Sequence, residues 1–487
     1  MDAETPEPYR AAPLSPSDIR SVFLGLMLAM LLSALDQTIV ATAMPTIGRD
    51  LGGLDQLPWV VTAYLLASTA VTPLYGKFSD MHGRRVTLLI AITIFVVGSI
   101  ACALAPTMLA LILARGLQGL GGGGLIALSQ TIVADMVTPR ERGRYQVYFA
   151  AAFSVASLAG PVLGGFFAQN LHWSLIFWIN LPLGIVAFLL TNDRLKKLPQ
   201  VGRSHRLDVL GAVLLVGANT SLMLMLNWGG ADHAWNSAPI LLLGAASAAL
   251  WAAFLARMLA ASEPLIPLQL LADRVIGFAT LASAFGMGTY IGLAIFVPIY
   301  FEVALGMSAR QSGFALTPLM IGIVIGSTLS GRLMASVEHY KRAPIAGVSV
   351  AILSIGAVAL ESASLPLWLL LVLLFCASVG LGTVMPVATV AVQNAAPAGH
   401  LGTATAAMNF SRQLFGAIVV AIYGAIVLSG HEAGGGLTLE TLSTRGANPE
   451  LAATFRYVFM AATAGLVASL AFFALMEERP FRDRPRD

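Results

Sequence analysis

Charge is scarce in this chain: Asp, Glu, Lys and Arg make up 11% of 487 residues, against 57% hydrophobic residues. Ordinary soluble domains carry roughly 25% charged residues, so a soluble globular fold is excluded. Cysteine is almost missing. Cys102 and Cys376 lie far apart, each inside an apolar run, which excludes a disulfide framework and a zinc knuckle. His82, His172, His205, His233, His339, His400 and His431 fall in polar connections without paired spacing, so no metal site is expected. No secretory leader is expected either. The first 20 residues are polar and Pro-rich, and the apolar run after them is too long for an h-region.

What is abundant is apolar length. Mean hydropathy is +0.80, and runs of about 20 apolar residues, enough to cross a bilayer, recur from end to end. Fourteen helices are read at 22–43, 57–76, 86–105, 109–133, 145–168, 173–191, 208–228, 237–257, 275–301, 311–331, 344–361, 366–390, 404–428 and 456–476. An even number puts both termini on one side. Of the 28 Lys and Arg, only Arg49, Arg310, Arg445 and Arg456 belong to the opposite loops, and Arg115 and Arg412 lie within helices. The rest, including Lys77, Arg84, Arg85, Arg140, Arg142, Arg144, Arg194, Lys196, Lys197, Arg203, Arg206, Lys341 and Arg342, share a side with the termini. The positive-inside rule then places both termini in the cytoplasm. The same distribution accounts for the net charge of +3 without a nucleic-acid partner.

A repeat is visible within the chain. "YGKFSDMHGRRV" (75–86) follows helix 2 and "SGRLMASVEHYKRA" (330–343) follows helix 10. Each begins with Gly, a base and a large apolar residue and ends in two bases. Pro45 precedes Gly76 by about as much as Pro298 precedes Gly331. The expected fold is therefore an all-α polytopic membrane protein with 14 transmembrane helices: two pseudo-symmetric six-helix bundles plus two inserted helices. Its parts are a tail over 1–21, a bundle over 22–191, a basic linker with the inserted helices over 192–274, a second bundle over 275–476 and a tail over 477–487. Repeats of this kind put the binding site between the halves near the bilayer midplane.

These motifs together resemble a major facilitator superfamily transporter of the fourteen-helix drug:proton antiporter branch. "LDQTIVATAMPTI" (35–47) and "WVVTAYLLA" (59–67) are similar to that branch's first two helices. "GKFSDMHGRR" (76–85) is similar to the superfamily's loop 2–3 motif, with Gly76, Asp80, Gly83, Arg84 and Arg85. "RGLQGLGGG" (115–123) resembles the helix 4 motif, and "GPVLGG" (160–165) the antiporter motif, with Gly160, Pro161, Gly164 and Gly165. "FWINLPLG" (177–184), "VGLGTVMP" (379–386) and "RQLFGAI" (412–418) carry the likeness along most of the chain. The chain departs from the branch at His172-Trp173-Ser174, at Glu302, and in having no acid in the second half that matches Asp80.

Asp36 is the only charge between Val22 and Ala43. An ionisable group at that depth is a functional candidate. Read from the expected helix ends, Asp36 and Arg115 lie at matching depths, and the resemblance implies that their helices are neighbours. Competition between proton and substrate for Asp36 would then couple the two; a fixed structural ion pair is the alternative. Asp80 is placed to cap a helix or pair with a base, and the resemblance implies a cytoplasmic gate. The glycines after Arg115 follow no strand and lie within a span, which excludes a nucleotide loop. Gly119 with Gly123 and Gly160 with Gly164 permit close helix approach. Tyr64, Gln118, Arg412 and Gln413 are candidates for the cavity, and Trp59 for an interfacial anchor. Glu302 and Glu361, at helix ends, are expected at a solvated rim.

The expected activity is proton-coupled export of small amphipathic or drug-like compounds by alternating access, with the proton gradient as driving force and no cofactor. The expected partners are a small-molecule substrate, protons and the lipid bilayer, in a monomer at the cell's inner or plasma membrane. An importer or uniporter of the same superfamily is the main alternative. A membrane-embedded enzyme acting on lipid or isoprenoid lacks the clustered Asp, His or Glu it would need. A sensor or scaffold would more naturally carry a soluble domain, for which the connection 429–455 is too short.

Overall fold

The computed structural model describes residues 15–53, 56–197, 207–230, 233–336, 339–361, 365–397, 399–429 and 449–481. The beginning of the tail, the linker bases Arg203 and Arg206, most of the connection 429–455 with Arg445, and the residues after 481 lie outside the described residues. Among those described, fourteen helices are long and apolar enough to cross a membrane. They are α1 Ser17–Leu51, α2 Leu57–His82, α3 Arg84–Ala103, α4 Met108–Met136, α5 Pro139–Asn170, α6 Leu175–Asn192, α7 Val209–Trp228, α8 Ala238–Ala260, α9 Arg274–Leu305, α10 Arg310–Met334, α11 Arg342–Glu361, α12 Leu367–Ala395, α13 Leu401–Val427 and α14 Ala453–Leu475.

Polar side chains fix where several of these begin. Thr138 and Glu141 form a capping box at the start of α5, with the Thr138 N–H donating to Glu141 at 3.0 Å. Asp273 accepts from the N–H groups of Val275 and Ile276 at the start of α9. Asp208 caps α7 and also accepts from Arg257 of α8 at 3.0 Å, tying the two inserted helices together.

Two helix ends differ from the expectation. α1 continues through Pro45 to Leu51, and α2 runs on to His82. A helix in a bilayer satisfies its own backbone, so a polar side chain alone does not stop it. Lys77 is thereby a buried residue of α2 rather than a loop residue. Gly76 likewise stands inside the helix, and the turn to α3 is Gly83 alone, at φ 87°. Only glycine adopts that conformation without strain.

Helix neighbours repeat with an offset of eight. α1 packs on α5 and α6, α2 on α4, and α3 on α4 and α6; correspondingly α9 packs on α13 and α14, α10 on α12, and α11 on α12 and α14. The two halves meet through α2 with α13 and α5 with α10. The inserted α7 and α8 lie over the first of these seams, where Leu215, Phe254 and Met258 pack with Ala407 and Phe410 of α13 and with Leu74 of α2.

The halves touch unevenly along their length. At the face that carries Arg84, Arg85, Arg140 and Lys341, hereafter the basic face, α13 is buried without interruption from Leu401 to Phe410. Beyond Arg412 the helix is mostly half-exposed. α2 shows the same gradient, buried near Asp80 and open near Trp59. On α1, Gln37, Ala41 and Pro45 form an exposed stripe on the side that α4, α5 and α6 leave uncovered. The molecule is closed at the basic face and parted at the other.

Candidate functional site

Asp36 stands near the middle of α1, because that helix is longer than its apolar core. Its carboxylate is 0% exposed, and Arg115 of α4 is 1% exposed. Arg115 Nη1 donates to Asp36 Oδ2 at 2.5 Å and to Gln118 Oε1 at 2.6 Å. Gln118 Nε2 donates to Asp36 Oδ1 at 2.8 Å, and Asn180 Nδ2 to the same oxygen at 3.4 Å. Ser99 of α3 accepts from both amides, at 2.8 and 3.2 Å. Arg115 also reaches α2: its Nε donates to the Val60 carbonyl at 3.0 Å, and its guanidinium lies 4.4 Å from the Tyr64 ring centroid.

Five helices thus contribute to one neutral, fully enclosed cluster. Tyr64 and Gln118, expected along a cavity, instead complete this cluster; each is at most 1% exposed. The Tyr64 hydroxyl is spent on Ser33, at 3.1 Å. Asn180 and Ser99 escaped the sequence reading, although each is a polar side chain within an apolar run.

The basic face is held by Asp80. Its Oδ1 accepts from the Gly402 N–H at 2.9 Å, and its Oδ2 from the Thr403 N–H at 2.7 Å and the Thr403 hydroxyl at 2.8 Å. An acid of one half therefore caps the first turn of a helix of the other, where the exposed N–H groups and the helix dipole favour negative charge. Arg84 steadies it, donating to Asp80 at 2.6 Å and to Asp135 of α4 at 2.7 Å. Arg85 holds the end of α6 through the carbonyl and side chain of Asn192. Gly76 lies against Gly402, so close that a Cβ would meet the Gly402 carbonyl oxygen at 2.5 Å. The other seam repeats this contact with Gly331 against Gly143, and among the described residues Met334, not an acid, fills the space beside it.

Polar contacts between the halves continue inward from the basic face. Gln393 donates to the Gln130 carbonyl at 3.1 Å, and Asn409 to the Gln130 side chain at 2.8 Å. Further in, Thr69 of α2 donates to Gln413 of α13 at 2.9 Å. Gln413 is half-exposed, whereas its neighbour Arg412 is buried, at 5%. Arg412 and Gln413 therefore sit where the closed part of the molecule gives way to the open part.

The antiporter motif divides. Gly160 and Gly164 press on α1 at Thr38, Ile39 and Thr42, and the Thr38 hydroxyl donates to the Ala156 carbonyl at 2.9 Å. Pro161 is exposed, and Gly165 has open space where a Cβ would stand, so neither belongs to the seam. Glu302 accepts from Ser312 at 2.7 Å near the end of α9. Trp59 is half-buried and stacks edge-on against Trp228 of the inserted α7, at 5.7 Å between centroids.

A sequence model of the Major Facilitator Superfamily matches residues 26–421. The chain belongs to the major facilitator superfamily. It is 36% identical to the multidrug transporter protein MdtP of Bacillus subtilis over 405 residues, covering 83% of this chain and 74% of that protein. It is 35% identical to multidrug resistance protein 3 of the same organism, covering 83% and 79%. Among solved structures, a bacterial homologue of the iron transporter ferroportin in an outward-facing state superposes with a TM-score of 0.66. That match covers 95% of this chain and 100% of the other at 12% identity, which establishes a shared fold. The protein is thus a multi-pass membrane transporter and not an enzyme.

Proposed function

We propose that this transporter exports small amphipathic, drug-like compounds across the cell membrane in exchange for protons, by alternating access. In this reading the basic face is cytoplasmic, both termini lie on that side, and the arrangement described is the outward-facing state. The protein acts as a monomer in the bilayer, with the proton gradient in place of a cofactor. The observation that carries the reading is Asp36, a carboxylate at 0% exposure inside an apolar bundle, held by donors from α4 and α6. A buried acid is costly unless paired, and one kept inside a membrane span points to ion or proton handling.

Protonating Asp36 releases Arg115 from its counter-ion. Arg115 is also bound to the backbone of α2 at Val60 and lies over Tyr64, and α2 carries Asp80 at its other end. A change of charge at Asp36 is thereby linked to the gate through one continuous helix. The relatives' names, a multidrug transporter and a multidrug resistance protein, support a broad substrate range.

The test is transport in proteoliposomes of a fluorescent amphiphile with and without an imposed pH gradient. Asp36→Asn keeps the shape and the hydrogen bonding but cannot ionise. It should abolish uphill, gradient-driven transport while retaining part of downhill exchange. Uphill transport equal to wild type would sink the proposed role of Asp36. A facilitative carrier with a fixed ion pair draws support from the same enclosure, and predicts no response to the gradient even in wild type.

A further inference from the structure

The interior holds a second arginine, and it has no counter-ion among the described residues. Arg412 Nε donates to Ser283 of α9 at 3.2 Å, and Nη2 donates to the Thr389 hydroxyl at 3.0 Å and the Met385 carbonyl at 3.4 Å, both of α12. Nη1 is buried and has no hydrogen-bond partner. Three helices thus fix the orientation of a guanidinium and leave its last nitrogen unspent. The described carboxylates of this half stand elsewhere: Asp273 caps the start of α9, and Glu302, Glu361, Glu477 and Glu478 lie at or beyond helix ends.

We propose that Arg412 receives the anionic head of the exported compound, so that the cargo of this transporter includes amphipathic carboxylates. The proposal rests on the reading of the gap between the halves as the substrate's route, and narrows it to a chemical class. A carboxylate accepts a strong, charge-assisted hydrogen bond from a guanidinium nitrogen, Nη1 is the nitrogen left to give one, and a buried cation without an anionic partner is costly. Position agrees with chemistry. Gln413, the adjacent residue, contacts Thr69 of the other half at 2.9 Å, so Arg412 stands one residue from the surface along which the halves meet. Phe415 lies one turn further on and packs edge-on against Phe285 at 4.9 Å, and Phe285 stacks on Phe472 at 5.7 Å. These half-buried rings supply apolar surface beside the charge for the body of the ligand. A cationic cargo finds no equivalent offer at Asp36, whose two oxygens are both occupied.

The experiment is equilibrium binding to the full-length protein in nanodiscs, without a pH gradient, using pyrenebutyrate and pyrenebutylamine as matched probes. Wild type should bind the carboxylate in preference to the amine. Arg412→Gln should weaken pyrenebutyrate about ten- to hundred-fold, the value of one hydrogen bond to a charged group, and Arg412→Lys should restore part of it. The amine should respond little to either substitution. Preference of the wild type for the amine overturns the proposal without any variant, so a misfolded Arg412→Gln leaves it testable. Unchanged pyrenebutyrate binding in a folded Arg412→Gln overturns it as well. Uphill export of cations alone would defeat this inference and leave proton-coupled export standing; binding of pyrenebutyrate without gradient-driven transport would do the reverse.

Discussion

Arg115 and Arg412 are both buried in the membrane interior, at 1% and 5% exposure, and both are held by side chains from neighbouring helices. They differ in what surrounds them. Arg115 faces a carboxylate, an amide and a carbonyl, and the cluster as a whole is neutral. Arg412 faces two hydroxyls and a carbonyl, and its charge is left over. In the proposed cycle the first cluster, with both Asp36 oxygens engaged, handles the proton. The second guanidinium, oriented by neutral groups, receives the ligand in that proposed cycle. The same side chain then serves two ends, and the difference lies in whether the chain supplies the anion itself.

The largest effect should follow from opening the first cluster. Arg115→Ala leaves Asp36 buried and unpaired, which costs about 3–5 kcal/mol. A thermal melt of the purified protein should show a marked loss of stability, and Asp36→Asn/Arg115→Gln should recover most of it. If the single variant melts like wild type, the pair is not the tightly held unit described above.

The two seams between the halves offer a middle-sized effect. Among the described residues an acid of one half caps a helix N-terminus of the other only in the α2/α13 seam, and removing its charge with Asp80→Asn should weaken closure by about 1.5–3 kcal/mol. A cysteine placed at Ser79 should then become more reactive, and transport should fall while substrate affinity stays within about a few-fold, because the cavity is untouched. The matching change in the α10/α5 seam, Met334→Leu, keeps an apolar filler of similar volume and should shift closure by less than about 1.5 kcal/mol. Equal responses at the two seams would remove the distinction between them.

The smallest change in stability belongs to Arg412. Its guanidinium has no counter-ion among the described residues to strand, so Arg412→Gln should cost about 1 kcal/mol, as an average substitution does, well below Arg115→Ala in the same melt. A loss as large as that of Arg115→Ala would mean that Arg412 is a structural brace.

The fourteen spans were legible because apolar length is a coarse signal that survives errors at its ends. The ends themselves were not. α1 and α2 run on past their expected ends at residues 43 and 76, so Lys77 and Asp80, read as loop residues, lie within a helix. Asp36, Arg115, Asp80 and Arg412 stood out as charges in apolar or sharply punctuated surroundings. Their neutral partners did not. Asn180, Ser99, Gln130, Asn409 and Thr69 bring no charge, and which of them meet depends on helix rotation, which the sequence pattern does not set. The signal that would have found them is the isolated amide within an apolar run, as in the "FWINLPLG" stretch. The enclosure of Tyr64 and Gln118 was hidden for the same reason.

The Asp80 clamp has one property that follows from its partners being mostly backbone. Two of the three groups it holds on α13 are the N–H groups of residues 402 and 403. Every residue except proline presents that donor. Side-chain change on α13 therefore leaves those two bonds in place, so long as position 402 stays small enough for the close approach of Gly76. The gate is robust to mutation on one helix and fragile on the other, at a single carboxylate. Sequence drift in the second half can therefore alter α13 at Arg412 and beyond, where we propose that the substrate is met, without disturbing how its first turn closes the molecule.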